Sequence, residues 1–172
     1  MNRMSSIQDI LENEEVKAEY KKALLLNMFK KIVVRINKDC TFRSSIRKLF
    51  SQSTNREATV KAIIRNNLNF DLDDDDCKLM LQWFEANLKK SNQRKPISLD
   101  LKEKLYKKQN GICLVCGEPL EKEMKYVHVD HIIPWMLVGD ELKDNYQCLC
   151  QTCNECKSAR TDYMFRNLVK LI

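Results

Sequence analysis

The chain reads Cys113-Leu114-Val115-Cys116 and later Cys150-Gln151-Thr152-Cys153, and the run Val129-Asp130-His131-Ile132-Ile133-Pro134 lies between the two pairs. Asn145 stands before the second pair, and Asn154 follows it directly. Two Cys-x-x-Cys pairs can arrange four thiolates around one tetrahedral zinc ion. The polar residues between them are the types that a metal-assisted phosphodiesterase uses. This stretch therefore predicts a small zinc-stabilised fold that contains a reactive site.

Zinc explains these cysteines better than free thiols do. The segment 111–161 is too short to bury an apolar core that is sufficient by itself. A structural zinc ion supplies on the order of 10 to 16 kcal/mol of apparent binding free energy. Free thiols would give no reason for two Cys-x-x-Cys pairs around one motif. Cys148 and Cys156 leave a second ligand choice open, since Cys153-x-x-Cys156 has the same spacing.

The constellation resembles the HNH, or ββα-metal, endonuclease family in its four-cysteine zinc subtype, over about residues 105–162. The resemblance implies a hairpin and a helix that hold one catalytic divalent ion. It also implies that the structural zinc ion is bound by Cys113, Cys116, Cys150 and Cys153. A catalytic ion of this kind neutralises the charge that develops on phosphate during hydrolysis.

The resemblance assigns a role to each polar residue of the motif. His131 is implied as the general base, and an imidazole can take a proton from water near neutral pH. Asp130 and Asn154 are implied as ligands of the catalytic ion, and their hard oxygen donors favour Mg²⁺ or Mn²⁺. Asn145 corresponds to the residue that braces the loop presenting the base, although a simple turn asparagine is the alternative. The loop after Pro134 reads Trp135-Met136-Leu137-Val138-Gly139-Asp140, where many family members have a Gly-Gly turn.

Three further residues are candidate DNA contacts. His128 shares a predicted strand face with Asp130. It could contact phosphate or bind the metal as an additional ligand, and an ordinary half-exposed histidine is the alternative. Lys157 and Arg160 follow Asn154 on the predicted helix and resemble the basic position that follows the Cys-Asn pair in the family. Ordinary surface exposure is the alternative for both.

Helical periodicity dominates the rest of the chain. Apolar residues recur at three- and four-residue spacing from Ser6 to about Arg35. Shorter helices are predicted around 42–50 and 58–68, and another after the acidic run 71–76, whose charge favours a helix N-terminus. Cys40 and Cys77 are predicted to be small core residues.

A polar linker, 91–96, separates this helical part from the motif. Ser98 is predicted to cap a helix that ends near Lys108, followed by a strand over 124–130 and a helix from Asn154 onward. The fold class predicted is α+β, mostly α. We expect a basic α-helical region, residues 1–92, followed by a zinc-stapled ββα-metal (HNH) domain, residues 93–172.

The net charge of +6 belongs to the first part of the chain. Residues 1–95 carry 19 basic and 13 acidic side chains, whereas residues 96–172 carry 11 of each. DNA-backbone binding by the helical part is one explanation, because the motif lacks excess positive charge of its own. A solvated helical face, docking onto a partner protein and a helix-turn-helix over 42–68 are the alternatives.

The chain shows no apolar run that approaches the roughly 20 residues needed to span a bilayer, and its first residues are too polar for a signal peptide. A cytoplasmic location without membrane contact is expected, in which cysteines stay reduced. The predicted function is DNA endonuclease activity in restriction, antiphage defence or mobile-element biology. A zinc nucleic-acid-binding module without catalysis, or a nuclease subunit active only in a larger complex, is the alternative.

Overall fold

The computed structural model describes residues 12–158 and 160–161 of the chain. Helices dominate it, and a small antiparallel sheet lies near the C-terminus, so the predicted α+β, mostly α fold is confirmed. The N-terminal part contains α1 (Glu14–Lys38), α2 (Cys40–Gln52), α3 (Arg56–Leu68) and α4 (Asp74–Lys89). These helices match the predicted periodic segments, while the part of the first prediction over 6–11 lies outside the described residues.

Side-chain caps explain where these helices begin. Each cap accepts a hydrogen bond from a backbone N–H of the first turn, which has no partner inside the helix. The caps of the four helices are Asn13, Asp39, Asn55 and Asp73. The acidic run 71–76, predicted to precede a helix, overlaps it instead, because α4 begins at Asp74. Asp74, Asp75 and Asp76 lie in its first turn, where negative charge favours the helix dipole.

The C-terminal part begins with α5 (Leu99–Lys108), whose predicted cap is present because Ser98 Oγ accepts from the Leu101 N–H at 3.2 Å. A 3-10 turn (Met124–Tyr126) precedes strand β1 (His128–His131), so the predicted strand over 124–130 begins too early. Two turn hydrogen bonds, Tyr126 N–H to Glu123 O and Val127 N–H to Met124 O, account for the difference.

A short helix, α6 (Trp135–Val138), follows β1 and occupies the loop that lacks the Gly-Gly turn. Strand β2 (Tyr146–Leu149) pairs antiparallel with β1 so that His131 faces Tyr146 and His128 faces Leu149. The last described helix, α7 (Gln151–Lys157), begins at Gln151, three residues earlier than predicted. The backbone N–H of Asn154 already bonds to Cys150 O at 3.0 Å, which places Asn154 inside the helix.

Two apolar cores divide the described residues. The larger core fills the space among α1 to α4, and three residues of the loop after β1 belong to it: Ile133, Leu137 and Val138. The smaller core surrounds the cysteines and includes Val127, Leu149 and Leu120. The loop between the strands is therefore packed on the helical part of the chain.

The two cysteines outside the motif differ in environment. Cys77 is fully buried in the larger core, as predicted. Cys40 is exposed, and the prediction that it is a core residue is wrong because it occupies the first position of α2, at the surface. Within the described ranges, no helix is both long and apolar enough to cross a bilayer.

Candidate functional site

The four cysteines of the two pairs meet in space. The sulfur atoms of Cys113, Cys116, Cys150 and Cys153 all lie within 4.8 Å of one another. Tetrahedral zinc, with Zn–S distances of about 2.3 Å, would bring such sulfurs to about 3.8 Å apart, so a small contraction completes the site. The arrangement suggests a structural zinc site that joins the segment before the 3-10 turn to the start of α7.

The surroundings of Cys113 fit a thiolate ligand. Its sulfur accepts from the Cys150 N–H at 3.5 Å. Burial raises the pKa of this thiol, but hydrogen bonds from the backbone N–H groups of Cys116, Cys150 and Val115 outweigh it and lower the pKa to about 7. Backbone donors at the sulfur stabilise the deprotonated form that binds metal.

The two spare cysteines of this region are placed elsewhere. Cys148 is buried, and its thiol donates to Lys102 O of α5 at 3.8 Å, while burial raises its pKa. Cys156 is exposed on α7. Neither belongs to the four-sulfur cluster, which leaves Cys150 and Cys153 as the second pair of the zinc site.

Asp130 is held by a lysine from the neighbouring helix. The ammonium of Lys157 donates to Asp130 Oδ2 at 2.6 Å and to the carbonyl oxygen of His131 at 2.6 Å. The carboxylate keeps 20% of its side-chain surface exposed, while the Lys157 side chain keeps 3%. The structure therefore directs Lys157, a sequence candidate for DNA contact, inward, where it joins α7 to β1.

His131 is enclosed at the end of β1. Its side chain is 5% exposed, its ring lies 4.6 Å from the Tyr146 ring, and Nε2 is 2.9 Å from Asp140 Oδ1. Burial lowers the pKa of His131 below its usual 6.5, although the contact with Asp140 opposes the shift. A neutral imidazole near pH 7 is the form that can accept a proton.

Asn145 braces the loop that follows His131. Its side chain accepts from the Ile133 N–H at 2.8 Å and donates to Ile133 O at 3.0 Å, and its own carbonyl oxygen accepts from the Ile132 N–H at 2.9 Å. Asn145 is 5% exposed. These three hydrogen bonds from Asn145, directly before β2, fix the backbone that follows His131.

The helical part of the chain supports the same loop. Asn87 of α4 donates through Nδ2 to Leu137 O at 2.7 Å in a buried setting. Lys90, at the end of α4, donates to Met136 O at 2.7 Å. Lys95 of the linker donates its backbone N–H to Asp140 Oδ2 at 3.0 Å. The first two contacts hold α6 against the end of α4, and the third ties the linker to Asp140. The helical part therefore supports the loop that follows His131.

A cleft of about 330 Å³ opens beside these residues. Its lining brings together residues from the linker, β1, α6 and α7. They include Arg94, Asp130, Trp135, Met136, Asn154 and Ser158. The guanidinium of Arg94 lies 5.1 Å above the Trp135 ring, which keeps a cation at the cleft wall.

Asp130 and Asn154 therefore line one cleft, and carboxylate and amide oxygens are the donor types that hard divalent ions prefer. Among the other sequence candidates, His128 is partly exposed in β1, and Arg160 is exposed just beyond α7. Arg94, Trp135 and Asp140 were not predicted as site residues. None of the three belongs to a periodic or motif pattern in the sequence. Only Asp140 has a local signal, because it directly follows Gly139 in the loop.

The comparisons with known proteins agree with the motif. The family model of HNH endonuclease matches residues 113–160. No curated protein matches the chain. The family resemblance predicted from the sequence is confirmed over this segment, which contains the four-cysteine cluster, and it indicates a nuclease or nucleic-acid-binding function.

Proposed function

We propose, from the match of residues 113–160 to HNH endonucleases, that this chain is a metal-dependent endonuclease that hydrolyses phosphodiester bonds of DNA. The observation that carries the proposal is the cleft that Asp130 and Asn154 both line, since His131 follows Asp130 directly in β1. Such hydrolysis requires oxygen donors for a divalent ion and a base for the attacking water. Asp130 and Asn154 would supply the donors at the cleft, while the His131 side chain is 5% exposed and is not among the residues that line it.

The residues divide the chemistry among them. Asp130 and Asn154 would hold Mg²⁺ or Mn²⁺, which supplies charge neutralisation for the phosphate and the departing oxygen when it is bound. His131 would take the proton of the attacking water. The hydrogen bonds from Asn145 to Ile133 hold the backbone that follows His131 in place. Lys157 holds Asp130 from the side of α7.

DNA binding is proposed to extend from the cleft onto the helical part, residues 1–92. Arg94 offers a guanidinium at the cleft wall. A neighbouring depression of about 150 Å³ lies beside the C-terminal ends of α1 and α4, and its lining includes Arg43 and Arg47 of α2 and Lys90. Cationic side chains along one path would contact successive phosphates and supply the positive charge that residues 96–172 lack.

A second candidate function rests on the enclosure of the site. His131 is only 5% exposed, and Lys157 already occupies one oxygen of Asp130. A zinc module that binds nucleic acid without cutting it would tolerate this arrangement. A nuclease that opens only within a larger complex, bound through the helical part, would tolerate it as well.

Cleavage of supercoiled plasmid across a series of divalent ions tests the proposal. The wild-type chain is expected to nick or linearise the plasmid with Mg²⁺ or Mn²⁺. His131→Ala is expected to be slower by about 10² to 10⁴-fold with similar DNA affinity, because the base acts during proton transfer. Binding without cleavage under all ions would support the non-catalytic module, and cleavage only after adding a partner fraction would support the complex.

We further infer a reducing, cytoplasmic setting, since the four thiols must stay available to zinc. Restriction, antiphage defence and mobile-element biology are the proposed contexts, because each requires a DNA endonuclease.

A further inference from the structure

Asp140 collects four polar contacts on its two carboxylate oxygens. Oδ2 accepts from the Trp135 Nε1–H at 2.9 Å and from the Lys95 N–H at 3.0 Å. Oδ1 accepts from the Tyr146 hydroxyl at 2.9 Å and lies 2.9 Å from His131 Nε2. The carboxylate side chain is 4% exposed. It joins the linker, α6, β2 and the imidazole in one network.

These contacts decide which nitrogen of His131 carries the proton. An indole N–H and a backbone N–H can only donate, so Oδ2 acts as an acceptor. Burial raises the pKa of Asp140, but the hydrogen bonds from Lys95, Trp135, Tyr146 and His131 outweigh it and lower the pKa to about 2. An ionised carboxylate accepts hydrogen bonds and donates none. His131 Nε2 must therefore donate, and the lone pair of the neutral ring lies on Nδ1.

We infer that Asp140 is a positioning residue, which holds the His131 ring by its Nε2–H so that Nδ1 is the atom that accepts the proton from water. The inference rests on the proposed endonuclease function. In the step, water gives one proton to Nδ1, its oxygen bonds to phosphorus, and the P–O3′ bond breaks with its electron pair leaving on the 3′ oxygen. Asp140 stays ionised and stabilises the positive charge that forms on the ring, as the aspartate of a catalytic triad does.

A purely architectural role for Asp140 predicts different behaviour. If Asp140 only anchors Lys95, Trp135 and Tyr146, its removal should lower stability. It should not determine which ring nitrogen of His131 carries the proton. Asp140→Asn separates the two roles because the amide can satisfy the network in one orientation. With its oxygen toward Lys95 and Trp135, its NH₂ group faces His131 Nε2 and requires that nitrogen to be bare.

The first measurement is the ¹⁵N NMR spectrum of the imidazoles in the zinc-loaded full chain without other divalent ions, at about pH 8.5, roughly two pH units above the ordinary pKa of an imidazole. The chain contains two histidines, so His128→Gln assigns the His131 signals. The wild-type ring is expected to carry its proton on Nε2, and Asp140→Asn is expected to move it to Nδ1. A wild-type ring protonated on Nδ1 overturns the inference, and this result needs no variant of Asp140.

The second measurement is the kcat of plasmid cleavage. Asp140→Asn is expected to lower kcat by about 10² to 10⁴-fold with little change in KM, as loss of the correct base form does. Asp144→Asn, the same change at an exposed position of the same loop, is expected to stay within about twofold. Tyr146→Phe removes one donor but keeps the contact between His131 and Asp140, and it is expected to keep the Nε2 proton.

The outcomes distinguish this inference from the proposed function. If His131→Ala cuts DNA at the wild-type rate, the proposed function fails whatever the ring protonation is. If His131→Ala is inactive but Asp140→Asn keeps both the Nε2 proton and kcat, only the role of Asp140 fails. A Tyr146→Phe variant whose ring proton moves to Nδ1, as in Asp140→Asn, would also overturn the role of Asp140, because any disturbance of the network would then move the proton.

Discussion

Lys157 places its ammonium nitrogen 2.6 Å from Asp130 Oδ2 while its own side chain is 3% exposed. The same nitrogen lies 2.6 Å from His131 O. A helix cation thus neutralises the carboxylate that we propose as a metal ligand and fixes the end of β1. The packing of α7 against β1 therefore depends on the ion pair between Lys157 and Asp130.

Lys157→Met should cost about 2 to 4 kcal/mol of unfolding free energy, because it leaves a mostly buried carboxylate without its cation. Added Mg²⁺ should recover more stability in the variant than in the wild type, since a divalent ion can replace the missing charge at Asp130. Urea unfolding with and without Mg²⁺ measures both effects.

Lys125→Met is the control for that substitution. Its ion pair with Glu123 spans 2.7 Å but both side chains are more than half exposed, so the change should cost under about 1 kcal/mol. Equal losses for Lys157→Met and Lys125→Met would contradict the account of a buried pair.

Cys153→Ser and Cys156→Ser test the zinc ligands on one helix. Cys153→Ser should lose the zinc ion and unfold the C-terminal part, because zinc binding of about 10 to 16 kcal/mol exceeds what so small a core supplies. Cys156→Ser should keep one zinc per chain and the wild-type melting curve, since its thiol lies outside the cluster. Metal analysis of the two purified variants shows which cysteine binds zinc. If Cys153→Ser retains zinc and Cys156→Ser loses it, the fourth ligand is Cys156.

Arg94→Gln and Arg47→Gln test the proposed DNA path in the full chain. Each should weaken binding and lower the slope of log K against log salt by about one, because a lost phosphate contact releases fewer counterions. Lys104→Gln is the control, since this lysine pairs with Asp100 at 3.1 Å on α5. Titration of a DNA duplex at several salt concentrations gives the slopes. Unchanged slopes for both arginine variants would favour partner docking for the helical part.

Asn154→His tests the proposed metal ligand. An imidazole nitrogen suits nickel, zinc or cobalt better than magnesium, so cleavage should persist with its ion preference shifted toward those metals. Asn154→Ala should lose activity with every ion, because one ligand is missing. Rates across the ion series measure this, and an Asn154→Ala variant that cuts as fast as the wild type in limiting Mg²⁺ would show that Asn154 is no ligand.

Gly139→Ala tests how closely the loop approaches α4. Gly139 has φ 63° and ψ −148°, a region that is nearly restricted to glycine, and a Cβ there would lie 2.6 Å from Lys90 Cβ. Gly117 also has a positive φ, of 79°, but a Cβ there meets nothing within 4 Å. Gly139→Ala should therefore destabilise the chain by about 1 to 3 kcal/mol more than Gly117→Ala, in urea unfolding. Equal destabilisation would argue against close packing of the loop on α4.

The sequence by itself determined the local features of this protein. Helix periodicity predicted α1 to α4, and the cap of α5 followed from Ser98, because a helix and its cap depend on hydrogen bonds between residues that are close in the chain. The two Cys-x-x-Cys pairs predicted the sulfur cluster for a similar reason, since each pair is a local turn and four ligands suffice for one ion.

Only the tertiary structure decided which residues surround the reactive ones. Asp140 reaches His131 and Tyr146 because the loop after β1 returns to the end of the sheet, and Arg94 reaches the cleft because the linker bonds to that loop through Lys95. Lys157 could have faced solvent from its place in α7, and its inward direction depends on where β1 lies. Contacts of this kind join distant segments through packing and charge, and no spacing in the sequence encodes them.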